Sequence, residues 1–148
     1  MELHSLMEEA EFVKAIHESF YFSTDSEYEE AARVGCRISD NAALTVGFEL
    51  ATGASHASPE CNLRLLEILE RERPTPVILA AIPVIRSLLG SEPVPGEDTL
   101  RLLAVCREHS HAWSGLGIVL CADPGLEREC DGIMDAWRLA GKIPESHR

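Results

Sequence analysis

The chain has 148 residues, the usual length of one domain, and its 45% apolar and 26% charged residues exclude intrinsic disorder as the default state. The formal net charge is −12, and residues 1–30 hold nine acidic side chains against a single lysine, Lys14. This charge excludes nucleic acid and anionic membranes as general partners, because binding to either depends largely on Lys and Arg.

The N-terminal third predicts three helices. Residues 5–20 place five apolar side chains at spacings that fit one helical face: Leu6, Phe12, Val13, Ile16 and Phe20. Residues 23–26 are all helix-capping types, and a second helix is predicted from there to about residue 36. Ser39 begins another capping sequence before a third helix over 42–52, which a glycine closes.

Proline and glycine separate the predicted helices in the rest of the chain. Ser58 followed by Pro59 is a strong helix start, and this helix is predicted to run to about residue 73. The apolar run 113–122 contains two glycines, and its pattern fits either a helix or a short buried strand. The remaining predicted helices are 77–89, 98–109 and 126–140.

One eight-residue phrase occurs twice. Residues 62–69 read Asn-Leu-Arg-Leu-Leu-Glu-Ile-Leu and residues 99–106 read Thr-Leu-Arg-Leu-Leu-Ala-Val-Cys, which gives an offset of 37. Apolar character is shared further along at the same offset, where Leu79 corresponds to Leu116. A period of this size, with two short helices per unit, is typical of an α-solenoid, in which neighbouring pairs share one core. Coincidence between two leucine-rich amphipathic helices is the alternative.

Residues 31–50 carry a family resemblance. Small residues and glycine come late in the first helix, Ile and Asp stand at the turn, and the second helix is rich in Ala and Leu; the matching positions are Ala32, Gly35, Ile38, Asp40, Ala43 and Leu50. This order resembles a bacterial HEAT-type repeat, although the turns of the two later units lack the Asp. The resemblance implies an all-α, HEAT-like α-solenoid of about three helix pairs plus a terminal helix. We expect one domain over 1–148, with an acidic cap helix in 1–22, three repeats in 23–123 and a C-terminal cap helix in 126–140.

The densest group of candidate metal ligands is Cys106, His109 and His111. On a helix Cys106 and His109 would share a face, which makes a zinc site geometrically conceivable. The spacing matches no familiar zinc module, however, and Cys106 also fits an apolar helical row as a small core residue. The sequence therefore favours core and turn roles for these residues, and we predict no cofactor.

Sequence signatures of catalysis are lacking. The sequence contains neither a nucleophile elbow of the G-x-S-x-G kind nor a glycine-rich phosphate loop. His17 and His56 stand alone, and each is interpreted as a surface histidine or one with its hydrogen bonds satisfied. An enzyme that uses the region of Cys106, His109 and His111 is the weaker alternative.

A stack of helix pairs presents a long concave surface formed by the second helix of each pair, and such surfaces usually bind proteins or peptides. Polar or aromatic positions on those helices are the candidate contacts: Thr45, Glu49, Arg86, His111 and Trp113. Tryptophan is favoured at interfaces because it combines a large apolar area with a hydrogen-bond donor, although Trp113 also fits a core role.

These observations predict a small acidic, non-enzymatic protein-interaction module, of the adaptor or immunity-protein style, whose partner has a basic surface. The same charge also serves solubility alone. Because some HEAT-like proteins resemble bilin lyases and chaperones, a small-ligand or metal-binding role is the alternative. Five cysteines without C-x-x-C spacing, and an N-terminus without a basic and apolar signal sequence, favour a cytoplasmic location. A homodimer through the ends of the stack is compatible with this architecture.

Overall fold

The structure, a computed structural model, describes residues 3–109 and 111–142. Over these residues all regular secondary structure is helical, which confirms the predicted all-α class. The α-helices are α1 (Glu9–Glu18), α2 (Asp25–Ile38), α3 (Asp40–Thr52), α4 (Pro59–Glu72), α5 (Pro76–Leu89), α6 (Gly96–Glu108), α7 (Ser114–Ala122) and α8 (Glu127–Leu139). A short 3-10 helix, Pro124–Leu126, connects α7 to α8.

Side-chain caps begin three helices where the sequence predicts them. The side-chain oxygens of Thr24, Ser39 and Ser58 each accept a hydrogen bond from a backbone amide in the first turn of α2, α3 and α4. Each such cap stabilises a helix by about 1 kcal/mol, because the first amides of a helix otherwise lack a partner. Gly53 ends α3 in the left-handed region, at a φ of 79°, where a Cβ atom would cause strain.

The structure corrects the bounds of the first helix and decides between helix and strand for the run 113–122. The first helix is shorter than the predicted 5–20, because α1 begins only at Glu9 and ends where Ser19 becomes extended, although Phe20 beyond it is still buried. The run 113–122 forms a helix and not a strand. Its glycines allow neighbouring side chains to approach α7 closely, which accounts for a composition that weakens the helical pattern.

The repeated leucine phrase has the same orientation in α4 and α6. Its first leucine is exposed in both copies, at 47% for Leu63 and 57% for Leu100. The two leucines that follow the arginine are buried in both copies: Leu65, Leu66, Leu102 and Leu103. The repeated phrase therefore reflects one amphipathic pattern shared by α4 and α6, in which equivalent positions face the core.

The first two helix pairs pack in the order expected for a stack. The helices of each pair pack together, α2 on α3 and α4 on α5, and the pairs join through contacts of α2 with α4 and of α3 with α5.

The third helix pair, α6 and α7, departs from this order. Helix α6 packs mainly on α5 and α7, and α7 packs on α3 as well as on α5. In an open stack the third unit contacts only its neighbour, so these pairs form a closed bundle around α3 instead of an extended solenoid.

Helix α3 is buried on all sides as a result. Ten of its thirteen residues are buried, whereas an ordinary surface helix buries one face. Small residues make this packing possible: a Cβ atom on Gly47 would lie 2.9 Å from Cδ1 of Ile85. The second helices α3, α5 and α7 therefore pack on one another instead of lying side by side along one extended concave surface.

The two predicted cap helices border the same part of the molecule. Helix α1 packs on α3, and α8 packs on α7 and on the 3-10 helix. Residues from α1 and α8 line one common cleft, so these helices do not sit at opposite ends of a stack. Within the described residues, none of the helices has both the length and the apolar composition needed to cross a membrane.

Candidate functional site

A buried carboxylate, Asp40, joins the turns of all three helix pairs. Nε of Arg73 and Oγ1 of Thr75, both between α4 and α5, donate to its Oδ1, and Nε2 of His111, between α6 and α7, lies 3.4 Å from its Oδ2. Burial alone would raise the pKa of Asp40. The hydrogen bonds from Arg73 and Thr75 and the charge of Arg73 outweigh burial, so the pKa lies below its usual value of 3.8.

A second buried polar group connects α3 to α7. Oδ1 of Asn41 accepts a hydrogen bond from the amide of Ser114 at 2.6 Å, and Oγ1 of Thr45 lies 3.0 Å from Oγ of Ser114. Oγ1 of Thr45 also donates to the carbonyl of Asn41 at 2.8 Å. These side chains are buried and hold helices together, so they are not available to a partner.

One polar pair lies at the surface end of α3. Nδ1 of His17, on α1, lies 2.9 Å from Oε1 of Glu49, which is within hydrogen-bond distance. The side chain of His17 is 41% exposed, whereas that of Glu49 is only 9% exposed. The ring of His17 also meets the ring of Phe48 edge-on, with centroids 5.8 Å apart. His17 thus covers a buried carboxylate and is itself open to solvent.

His17 also borders two clefts. We call the first the apolar cleft; it has a volume of about 200 Å³ and lies between α1 and α8, above α3 and α7. Asp131 of α8 also lines this cleft. Its apolar lining consists of Phe48, Trp113, Leu116, Leu120 and Met134.

We call the second the acidic cleft; it has a volume of about 280 Å³, and His17 lines it as well. Two carboxylates line it, Glu18 and Glu49, together with Tyr21 and His56, whose rings meet edge-on with centroids 5.5 Å apart. Among the residues that the structure describes, neither cleft is lined by a lysine or an arginine. Apart from the histidines, the charged side chains that line the two clefts are therefore carboxylates.

Glycine determines the shape of the apolar cleft. A Cβ atom on Gly117 would lie 2.8 Å from two atoms of the Phe48 ring, which is closer than Cβ atoms approach other groups. The absence of this Cβ lets Phe48 lie against α7, so its ring lines the cleft next to Leu116 and Leu120. Gly117, the second glycine of the run 113–122, therefore helps to shape the apolar cleft.

The structure separates the five predicted contact residues. Trp113 lines the apolar cleft and Glu49 the acidic cleft, so these two lie near each other. The prediction for Thr45 is wrong, because this residue is fully buried and bonded to Ser114. Arg86 is exposed on α5 and lines neither cleft, and His111 contacts Asp40.

The three candidate metal ligands are divided between the core and a turn. Cys106 is fully buried, and burial raises the pKa of its thiol to about 12, so it stays protonated at neutral pH. His109 and His111 meet edge-on with ring centroids 5.6 Å apart. In the part of the chain that the structure describes, His, Cys, Asp and Glu form no group of three or more that could hold a metal ion.

Sequence reasoning missed His17, Phe48 and Met134 as site residues. His17 stands alone in the sequence, because the glutamate that it contacts is 32 positions away in the chain. Met134 lies in the predicted C-terminal cap helix, and only the position of α8 beside α1 brings it to the cleft. The one available signal is the largely apolar sequence of α3 with little contrast between its faces, which indicates a central helix.

Comparison of the chain with protein-family models gives no match. Curated proteins and solved structures likewise give none. The resemblance of residues 31–50 to a bacterial HEAT-type repeat stays a prediction.

Proposed function

We propose that this protein is a small non-enzymatic interaction module that binds a protein partner through a basic surface of that partner. The observation that supports this proposal is the pair of adjoining clefts, which are lined by Glu18, Glu49 and Asp131 and, within the described residues, by no lysine or arginine. Surfaces of one charge attract partners of the opposite charge and repel partners of the same charge. The exposed apolar lining beside these carboxylates supplies the contact area that affinity requires.

The pattern of ion pairs also supports binding of a basic partner beside the clefts. Acidic residues of α2 are largely neutralised within the chain; for example, Arg64 of α4 contacts Asp25 at 3.0 Å and Glu29 at 3.4 Å. On α1, Glu18 contacts Lys14 at 3.9 Å, and both side chains are well exposed. An exposed pair of this kind contributes about 0–1 kcal/mol and is easily exchanged for a partner's cation. Glu18, beside the acidic cleft, therefore stays available to a cation of the partner.

We also propose that the first two helix pairs are related to bacterial HEAT-type repeats and that the protein works in the cytoplasm. The packing of α2 on α4 and of α3 on α5 supports the first part, because it repeats the contact between units that such stacks use. The five cysteines are free thiols, four of them buried, which supports a reducing compartment.

The experiment that tests the function is selection of peptides from a random phage-displayed library on the immobilised full-length chain. Lysine- and arginine-rich peptides should be enriched, and their retention should fall between about 0.15 M and about 1 M salt, because salt screens exposed charges. A selection that enriches acidic or neutral peptides, or nothing above the blank matrix, contradicts the proposal.

A further inference from the structure

We propose that the apolar cleft and the acidic cleft act together as one two-part pocket for a segment of the partner. This segment carries a large apolar side chain for the apolar cleft and a nearby lysine or arginine for the acidic cleft, where the cation replaces His17 at the carboxylate of Glu49. The inference rests on the proposed function and adds to it the pocket, the chemistry of the occupant and the exchange at Glu49.

His17 makes the two clefts contiguous. Its side chain lines both of them, and among the described residues it is the one that the two linings share. On the apolar side the His17 ring meets Phe48, and on the other side its Nδ1 lies 2.9 Å from Glu49. A rotation of this half-exposed side chain would therefore open a path between the two clefts.

The size of each cleft fits a side chain better than a cofactor. Pockets for drug-sized molecules measure about 300–1,000 Å³. The apolar cleft measures about 200 Å³ and the acidic cleft about 280 Å³, so each lies below that range while His17 keeps its place between them. Two small adjoining clefts of different polarity suit two neighbouring side chains of one segment.

Glu49 is suited to bind an incoming cation. Its residue exposure is 7%, and a buried carboxylate requires a partner that donates hydrogen bonds. The side chain that serves this need, His17, is 41% exposed, so rotation can carry it into solvent. A lysine or arginine always carries its charge at neutral pH and makes stronger, charge-assisted hydrogen bonds to a carboxylate. Such a cation would therefore replace the contact between His17 and Glu49 with a charge-assisted hydrogen bond.

The apolar cleft supplies the other half of the recognition. Phe48, Leu120 and Met134 are only partly buried, so an apolar side chain placed between them would remove apolar surface from water. Helix α8, which carries Met134, buries only Cys130 and Trp137. Its limited packing allows α8 to adjust to the occupant.

The experiment uses a lysine-containing peptide from the phage selection, with isothermal titration against wild type and three variants of near-equal shape. E49Q removes the buried charge, M134Q makes the apolar cleft polar, and E67Q is the matched control, because Glu67 is exposed on α4 and lines neither cleft. We expect E49Q and M134Q to weaken binding about tenfold or more and E67Q to leave it unchanged. Circular dichroism and urea unfolding verify that each variant is folded.

Two further measurements test the exchange itself. Replacing the peptide's lysine by norleucine should weaken binding to wild type but not weaken it further with E49Q, since the two changes remove the same contact. H17A should bind the peptide as tightly as wild type or more tightly, because the cation no longer displaces a histidine. Loss of affinity with H17A would show that His17 is itself a contact, which overturns the exchange.

The outcomes separate the pocket from the function. Basic peptides that bind E49Q and M134Q as well as wild type would overturn the two-part pocket and leave the proposed function standing. A selection that enriches no basic peptides would contradict the proposed function and, with it, the two-part pocket. Native mass spectrometry of the free protein tests for other occupants of the clefts. A dimer that E49Q or M134Q dissociates would assign the clefts to a second copy of the chain, and a fixed added mass that these variants lose would assign them to a small molecule. Either result would overturn the inference.

Discussion

Oδ1 of Asn41 accepts a hydrogen bond from the backbone amide of Ser114 at 2.6 Å, across 73 positions of the chain. The contact is fully buried and connects the first turn of α3 to the first turn of α7. Because α7 packs against α3 as well as against α5, this bond holds the third helix pair in its closed position. The same closure brings α7 and α8 to the side of α1, and so it also forms the apolar cleft.

We predict that N41A lowers the free energy of unfolding by about 1–3 kcal/mol. The substitution leaves the amide of Ser114 buried without an acceptor, and such a group costs its full desolvation penalty. Urea unfolding measures the change. N62A is the matched control, because Asn62 accepts from Ser55 at 2.8 Å in a half-buried position that water can reach, and its effect should be smaller. Equal effects of N41A and N62A would show that the bond to Ser114 contributes little to stability.

We predict that Asp40 contributes stability that acid removes. Its pKa is lower in the folded protein than the usual 3.8, so the unfolded state binds the proton more readily. The contribution is therefore complete above pH 3.8 and is lost as the pH falls from that value through the lower folded pKa. The groups that face Asp40 are Arg73, Thr75 and His111, and protonation of the carboxylate weakens its bonds to them.

The measurement compares the unfolding free energy of wild type and D40N at a series of pH values. The variant should be less stable at about pH 6, because Arg73 loses a charged acceptor, and the difference should narrow below about pH 4. E67Q serves as the control, because Glu67 is exposed on α4 and its variant should follow the wild-type curve. A difference between wild type and D40N that stays constant at low pH would contradict the assignment.

The sequence predicts the helices well because their signals are local. Ser39 and Ser58 cap the helices that they were expected to begin, and the repeated leucine phrase has equivalent buried positions in α4 and α6. Capping depends on residues within one turn, and burial of a helix face depends on spacing along the same helix. Both can therefore be read without knowledge of tertiary contacts.

The site could not be predicted in this way, because its geometry depends on which helices meet. An open stack would expose Thr45, whereas the closed bundle buries it beneath Ser114. Glu49 was expected at a concave surface, and its contact with His17 follows only from the packing of α1 on α3. The period of 37 residues indicates similar units but not the direction in which the third unit turns.

We predict that G115A destabilises the protein although alanine favours helices. A Cβ atom at this position would lie 2.5 Å from Sγ of Cys106, so α6 and α7 would have to move apart. Overpacking of this kind costs about 1–3 kcal/mol, which exceeds the gain in helix propensity of about 1 kcal/mol. The control is G132A on α8, where no atom lies within 4 Å of the added Cβ, and it should stabilise the protein slightly.

A double-mutant cycle tests the cause of the G115A effect. C106A removes the sulfur that the new Cβ would meet, so the double variant should be destabilised by less than the sum of the two single variants. Thermal or urea unfolding of the four proteins gives the coupling energy. Strict additivity would show that the strain at Gly115 arises from another contact.

We predict that Cys121 reacts first with thiol reagents in the folded protein. The other four cysteines are buried, and burial raises the pKa of Cys106 to about 12 and those of Cys36 and Cys130 to about 11. Because the thiolate is the reactive form, these groups should stay unmodified at neutral pH until the chain unfolds. Burial and the charge of Glu49 also raise the pKa of Cys121, so its own reaction should be slow.

Alkylation with iodoacetamide, followed by mass spectrometry of peptides, measures the order of modification. C121S should remove the first reaction, and the remaining four thiols should react together in denaturant. E49Q provides a second check, because it removes the charge that opposes the Cys121 thiolate and should therefore accelerate alkylation there. Rapid modification of Cys106 or Cys130 in the native protein would instead show that α8 detaches from α7 often enough to expose them.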